Sequence, residues 1–219
     1  MVLSNEEANN LIILDKELKQ VGSITDLAPG ERVYSARFLG DMGYFVTYKE
    51  TDPVFAADLS DPAKPVILGE LKIPGFSEYL HPFGKDKLLG IGMNVDSAGV
   101  LDGVKAELFD ISDPSNLSSL EECIVPGMYG ADASYDYKAV MIAPERGLIG
   151  FSGSGVSGDV YVLLKYENDR IVAMLLEEVN GSGRGTRGIY IGDVLYVVNG
   201  NIIEAYSLAD YSKVDDLIL

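Results

Sequence analysis

Apolar and polar positions alternate along most of this chain, in short runs rich in β-branched and aromatic residues and punctuated by Gly, Asp, Ser and Pro. YSARFLGD, GYFVTYK, VFAADLS and PVILGELKI follow one another, with turn residues Gly40-Asp41, Thr51-Asp52-Pro53 and Ser60-Asp61-Pro62 between them. A period of two with such punctuation predicts four antiparallel strands in a meander. The order recurs as FSEYLHPF, KLLGIGM, VKAELFDIS and LSSLEECIV, then as SYDYKAVMIA, LIGFSG, DVYVLLKY and IVAMLLEEV, then as TRGIYIG, VLYVVNG, NIIEAYSL and KVDDLIL. NLIILD and LKQVGSI, near the start, read as the third and fourth strands of a further set. No window carries the period of a long amphipathic helix, and EEANN predicts no more than a frayed turn.

The recurrence is also written in the residues themselves. DLSDPAKPVILGELKIPG, from Asp58, lies without a gap over DISDPSNLSSLEECIVPG, from Asp110. Asp61-Pro62 falls on Asp113-Pro114, Glu70 on Glu122 and Pro74-Gly75 on Pro126-Gly127. The turn after each third strand is marked by Asp15, Asp58, Asp110, Glu167 and Ser207, at spacings of roughly 40 to 57 residues, the range of propeller repeats. A four-stranded unit cannot bury both of its faces alone, and stacking units about an axis buries them together. A β-sandwich also has evenly spaced strands, but it does not call for a unit of four with its own turn chemistry. The expectation is an all-β fold, a β-propeller of four-stranded antiparallel blades forming one domain over residues 1–219, with four full blades and half of another. The half blade predicts a fragment of a longer propeller whose missing inner strands lie upstream. A five-bladed ring with one thin blade, or closure through a second copy in a homo-oligomer, are the alternatives.

Charge narrows the partners. The 219 residues carry 34 acidic and 17 basic side chains, a net charge of −17 and a pI near 4.3. Such a field repels phosphate backbones and anionic lipid surfaces, so the expectation is no nucleic-acid partner. No apolar run is long enough to cross a membrane, and MVLSNEEANN lacks the basic and apolar regions of a signal peptide. The single cysteine, Cys123, excludes an internal disulfide and, standing where Leu71 stands in the sister repeat, predicts a buried structural thiol.

Over nearly the whole chain, the order YSARFLGD, YKETDPVFAADLSDPAKPVILGELKIPGFSEYLHPF, LFDISDPSN, DYKA and IYIGDVLYVV resembles the secreted β-propeller domain family of bacteria and archaea, usually the C-terminal part of longer surface proteins. TDPVFAADLSDPAKPVILGELKIPGFSEYLHPF is the most specific part of the likeness. The resemblance implies no established catalytic activity. It implies an extracellular or cell-surface location and a binding or scaffold role.

Few motifs carry chemistry. Gly183-Arg184-Gly185-Thr186-Arg187-Gly188 has the spacing of a dinucleotide loop, but it opens a strand where such a loop must open a helix, so it reads as a link between blades. His81 is the only histidine, which leaves a serine relay with one candidate base and zinc with no ligand cluster. Asn94, Asp96 and Asp102 form a partial calcium loop: oxygen donors stand at its first and third positions and Gly99 at its sixth, while Ala98 and Lys105 replace two expected ligands. The alternative is an ordinary polar loop with no cofactor. The pairs Asp58 with Asp61 and Asp110 with Asp113 read as turn chemistry, their carboxylates capping backbone N–H groups. Asn116 and Asn180 begin N-x-S sequences that matter only in a host that glycosylates them.

One constellation remains. Arg37, His81 and Arg187 each stand seven residues before the expected second strands at Tyr44, Leu88 and Val194, and Lys138 fills the role in the third blade. First strands line the central channel of a propeller, so this spacing predicts a basic-lined channel in an acidic protein, a site for a carboxylate, sulfate or phosphate group of a protein or anionic glycan. Pairing of each cation with a neighbour such as Glu78 or Asp136 is the structural alternative. The binding face is expected in the loops between second and third strands, 49–52, 94–103 and 153–159. The alternative function is a hydrolase or lyase on an anionic glycan or peptide with His81 as acid/base, and a purely structural spacer comes third.

Overall fold

The computed structural model describes residues 2–4, 9–48, 52–96, 98–179 and 185–219. An N-terminal sheet comprises β1 (Val2–Ser4), β2 (Asn9–Leu14) and β3 (Gln20–Leu27). Blade 1 comprises β4 (Arg32–Leu39), β5 (Met42–Tyr48), β6 (Asp52–Asp58) and β7 (Val66–Ile73). Blade 2 comprises β8 (Phe76–Pro82), β9 (Lys87–Val95), β10 (Leu101–Asp110) and β11 (Ser118–Val125). Blade 3 comprises β12 (Met128–Ala131), β13 (Val140–Ala143), β14 (Leu148–Gly155), β15 (Asp159–Glu167) and β16 (Arg170–Glu178). Blade 4 comprises β17 (Arg187–Ile191), β18 (Val194–Asn199), β19 (Ile202–Ser207) and β20 (Lys213–Ile218). Blades 1, 2 and 4 are four-stranded antiparallel meanders, as the alternation predicts, whereas in blade 3 β12 and β13 both pair β14 and five strands stand where four are expected. The N-terminal sheet has one strand more than its sequence suggests, because β1 pairs β2 from Val2↔Leu11 to Ser4↔Asn9.

Buried side chains join each sheet to the next. Leu11 and Leu27 pack with Phe45, Phe55 and Ala57 of blade 1. Tyr44, Val46, Val54 and Ala56 of blade 1 meet Leu80, Leu88 and Phe109 of blade 2. Leu89, Ile91, Val104 and Leu108 meet Ile149, Phe151, Val160 and Val162 of blade 3. Tyr161, Leu163 and Leu175 meet Leu195, Val197 and Tyr206 of blade 4. Cys123 is only partly buried against the core between blades 2 and 3, so the fully enclosed thiol expected from its sister Leu71 is not found. Its partial burial, with Glu121 nearby, pushes the thiol pKa up.

Two devices repeat with the blades. The last strand of every sheet carries a bulge, at Val21, Leu68, Leu120, Met174 and Val214, where one residue finds no opposite number. A bulge twists and blunts a strand that would otherwise offer its edge to another chain. The Asp-Pro turns have a second role. A Cβ on Gly69 of blade 1 would lie 2.4 Å from the Pro114 carbonyl oxygen of blade 2, and one on Gly22 would lie 2.1 Å from that of Pro62. The Asp-Pro turns of blades 1 and 2 therefore each seat on a glycine of the sheet before them. The carboxylates hold these turns: Asp58 accepts from the Ser60 N–H and Asp61 from the Ala63 N–H, and Asp110 and Asp113 do the same for Ser112 and Ser115.

The interface of blades 1 and 2 also encloses a charged pair. Lys105 and Glu107 are almost fully buried on β10. Lys105 Nζ donates to the Pro74 carbonyl at 2.6 Å and lies 2.7 Å from Glu107 Oε2, a close ion-pair contact not aligned as a hydrogen bond. Glu122, half exposed on β11 and paired across the strands with Glu107, stands 3.7 Å from Lys105 Nζ.

Candidate functional site

The first strands of blades 1, 2 and 3 share a bulge that fixes which residues correspond, and β17 of blade 4 has none. In β4, Val33 pairs Thr47 and Ser35 pairs Val46, leaving Tyr34 extra. In β8, Ser77 pairs Gly92 and Tyr79 pairs Ile91, leaving Glu78 extra. In β12, Met128 pairs Gly155 and Gly130 pairs Ser154, leaving Tyr129 extra. Counted from this bulge, Arg37 and His81 are equivalent, and the third member is Asp132. Lys138, expected on the inner strand of blade 3, is not there. It lies exposed in a 3-10 turn, Tyr137–Ala139, with its ammonium 5.8 Å from the Tyr137 ring centroid. Two 3-10 turns, Asp132–Ser134 and Tyr137–Ala139, split the expected SYDYKAVMIA strand. The Asp136 side chain accepts from the Lys138 N–H and caps the second turn, a local bond that outcompetes the alternating pattern.

The constant spacing of seven fails for a related reason. The hairpins are Gly40-Asp41 in blade 1, Phe83 to Asp86 in blade 2 and Gly192-Asp193 in blade 4, so the second strands begin at Met42, Lys87 and Val194. Arg187 pairs Val198, deeper in its sheet than Arg37, which pairs Tyr44.

The four residues fall into two groups. In the first, Ser35 Oγ donates to the Ser77 carbonyl at 2.7 Å and Arg37 Nε to the Leu80 carbonyl at 2.7 Å, stitching β4 to β8. The Arg37 guanidinium also lies 5.6 Å from the Tyr79 ring centroid, and Tyr79 Oη pairs with His81 Nδ1 at 2.9 Å. Burial and then the Arg37 charge hold the His81 pKa below the ordinary imidazole value, so the ring is neutral near pH 7 and adds no cation. Burial pushes the Tyr79 hydroxyl up, against the pull of Arg37. In the second group, Arg187 Nη2 meets Asp136 Oδ2 at 2.5 Å and Nη1 donates to the Thr186 carbonyl. The capping bond from the Lys138 N–H, followed by Arg187, holds the Asp136 carboxyl below its usual range. Arg187 is thus paired as the structural alternative foresaw, while among the described residues Arg37 has no carboxylate partner.

A cleft of about 420 Å³ lies beside the first group, lined by Ser35, Arg37, Glu78, Tyr79, Tyr135 and Tyr137 among others. Glu78 is partly buried, and loss of solvent raises its pKa. Among the described residues it has no cationic partner either. Sequence reasoning named Glu78 only as a possible partner for a cation and missed Asp132, whose Oδ2 accepts from buried Ser152 Oγ at 2.6 Å. The signal for both would have been the first-strand bulge, which depends on pairing partners that no local pattern shows.

The partial calcium loop is organised as a turn. Asp96 Oδ1 accepts from the Ala98 and Val100 N–H groups, and Asn94 Nδ2 reaches the Asp102 backbone carbonyl at 3.4 Å. Among the described residues no three His, Cys, Asp or Glu side chains converge on a common point as metal ligands. Of the loops expected to form a face, residues 49–51 and 97 lie outside the described residues, as do Asn180 and positions 183–184 of the glycine-rich link. Gly188 lies in β17, where a Cβ would sit 1.7 Å from Tyr161 Oη, so packing accounts for it.

A family model described as the beta propeller domain matches residues 2–211. The chain belongs to this family. It is 35% identical over 213 residues to an uncharacterized protein of Archaeoglobus fulgidus, covering 97% of this chain and 32% of that protein. It is 45% identical over 133 residues to the uncharacterized protein MJ1554 of Methanocaldococcus jannaschii, covering 61% of this chain and 20% of that one. The chain thus spans a third or less of the length of these relatives. The structure of apo AztD from Citrobacter koseri superposes with a TM-score of 0.55 at 13% identity, covering all of this chain and 59% of the other. That likeness speaks to the propeller fold alone. No helix among the described residues is long and apolar enough to cross a membrane.

Proposed function

We propose that this chain is a non-catalytic binding module of a longer surface protein and that it takes an anionic group of a protein or glycan ligand in the cleft beside Arg37. One observation carries the reading: in a chain with twice as many acidic as basic residues, the partly buried Arg37 guanidinium has no carboxylate partner among the described residues. Its Nε is committed to the Leu80 carbonyl and its guanidinium lies against Tyr79, two contacts that fix its position without neutralising its charge. A guanidinium held this way forms charge-assisted hydrogen bonds of about 1.5–3 kcal/mol with a carboxylate or a phosphate. Lys138 does not line this cleft, so Arg37 is its cation.

The test is a thermal-shift screen with uronic-acid and sulfated oligosaccharides, phosphate, acidic peptides and calcium. A ligand at about a hundred times its Kd stabilises the folded state by about 2.7 kcal/mol. The expected result is stabilisation by an anionic ligand that weakens with salt, vanishes in Arg37→Met and survives in Arg187→Met. An anionic ligand that stabilises the wild type and Arg37→Met equally would remove the site from this cleft. Stabilisation by none of them would favour a spacer.

The hydrolase or lyase reading rests on His81, whose neutral ring is in the form a general base requires. A polysaccharide-cleavage assay of the wild type against His81→Ala separates it from the binding reading.

A further inference from the structure

We infer that the cleft beside Arg37 accepts a dipolar ion, a small ligand of the amino-acid or short-peptide class whose carboxylate meets Arg37 and whose ammonium meets Glu78. The inference rests on the reading of this cleft as an anion-accepting site and goes beyond it by assigning the second charge. Arg37 and Glu78 line the same cleft, yet they form no ion pair with each other, and neither has another oppositely charged partner among the described residues. Partly buried charges without partners cost free energy that a ligand of complementary charge recovers. A ligand carrying only an anion would satisfy Arg37 and bring a like charge toward Glu78. A ligand with both charges satisfies both walls.

The placement of Glu78 supports this. It is the extra residue of the β8 bulge, a device that re-aims a side chain. The same bulge carries Tyr34 in blade 1 and Tyr129 in blade 3, so the carboxyl occurs only in the blade whose first strand lies against Arg37. Burial raises the Glu78 pKa, so a cation brought beside it would favour its charged form. At about 420 Å³ the cleft is at the small end of ligand pockets and has room for an amino acid or a dipeptide.

Calorimetric titration of the intact chain with matched probes tests the inference. Butyrate offers the carboxylate, butylamine the ammonium, and glycine, γ-aminobutyrate, ε-aminohexanoate and dialanine offer both at increasing separations. At least one dipolar probe is expected to bind about tenfold or more tightly than butyrate, the worth of one charge-assisted contact. Glu78→Gln should bring that probe down to the butyrate level and leave butyrate itself unchanged or slightly tighter. Arg37→Met should abolish both, and Arg37→Lys, which keeps the charge but loses the fork, should weaken both. Thermal melts of each variant confirm folding. If butyrate binds as tightly as every dipolar probe, or Glu78→Gln changes nothing, the dipolar assignment fails while the anion site stands. If no carboxylate binds, or binding survives Arg37→Met, the anion site fails with it.

Discussion

Blades 1 and 2 meet through devices that repeat, whereas blade 3 departs from the pattern at two places. Between blades 1 and 2 an Asp-Pro turn seats on Gly69, and the first strands run unbroken. In blade 3 the corresponding turn is a tight hairpin at Asn168-Asp169, both with positive φ, and Glu121 of blade 2 replaces the glycine, facing Arg170 at 3.9 Å. Its first strand is split by the 3-10 turns that carry Tyr135 and Tyr137 into the cleft. The regular interface supplies stacking and, through β4 and β8, the charged wall of the cleft. The irregular segment gives up strand pairing and supplies a wall. The repeat therefore sets the frame, and the candidate site lies where one blade leaves it.

The largest effect on this contrast is expected at the buried pair. Lys105→Met strands Glu107 without its countercharge and should destabilise the chain by about 3–5 kcal/mol in urea unfolding. Counted from the first-strand bulges, Glu107 stands where Phe55 and Val160, both buried, stand in the neighbouring blades. Lys105→Met with Glu107→Val should therefore recover most of the loss. A double variant no better than the single one would show that the pair specifies the interface. A smaller effect is expected from Gly69→Ala, whose Cβ meets the Pro114 carbonyl: a loss of about 1–3 kcal/mol. Glu121→Ala, at the matching position of blade 2, should change stability by about 0.5 kcal/mol or less. Equal losses at the two sites would erase the distinction between the interfaces.

The smallest expected effect is a pH dependence. Because the folded-state pKa of His81 is depressed, the unfolded chain takes up the proton first. Its contribution to stability is present above the ordinary value of 6.5 and is lost as pH falls from there toward the folded-state value. His81→Gln should make the fall in melting temperature over that window shallower. Glu78, with its pKa raised, works in the opposite sense: its contribution is fully present below the ordinary 4.5 and is lost as pH rises through the folded-state value.

The meander was legible because a period of two and Asp-x-Ser turns are local signals, and both act locally in the folded chain, as the Asp58 and Asp110 carboxylates show. The split strand was not, since SYDYKAVMIA alternates like its neighbours and only the Asp136 cap reveals the turn. The constellation of cations was half legible. Residue type and first-strand position pointed to Arg37, but whether a cation is free or paired depends on what faces it from the next blade. Asp136 neutralises Arg187, Tyr79 engages His81, and Arg37 has a carbonyl and the Tyr79 side chain but no carboxylate among the described residues. Bulges such as that at Glu78 are properties of a pair of strands, so no reading of one strand shows them.

Amide-resolved NMR titration with a dipolar carboxylate probe such as γ-aminobutyrate tests the central claim most directly. The account predicts shifts concentrated at residues 35–37, 78–81 and 133–138, with the Asp-Pro turns at Pro62 and Pro114 unmoved. Shifts concentrated in the second-to-third-strand loops at 94–103 and 153–159, or none at all, would contradict a site built where blade 3 leaves the repeat.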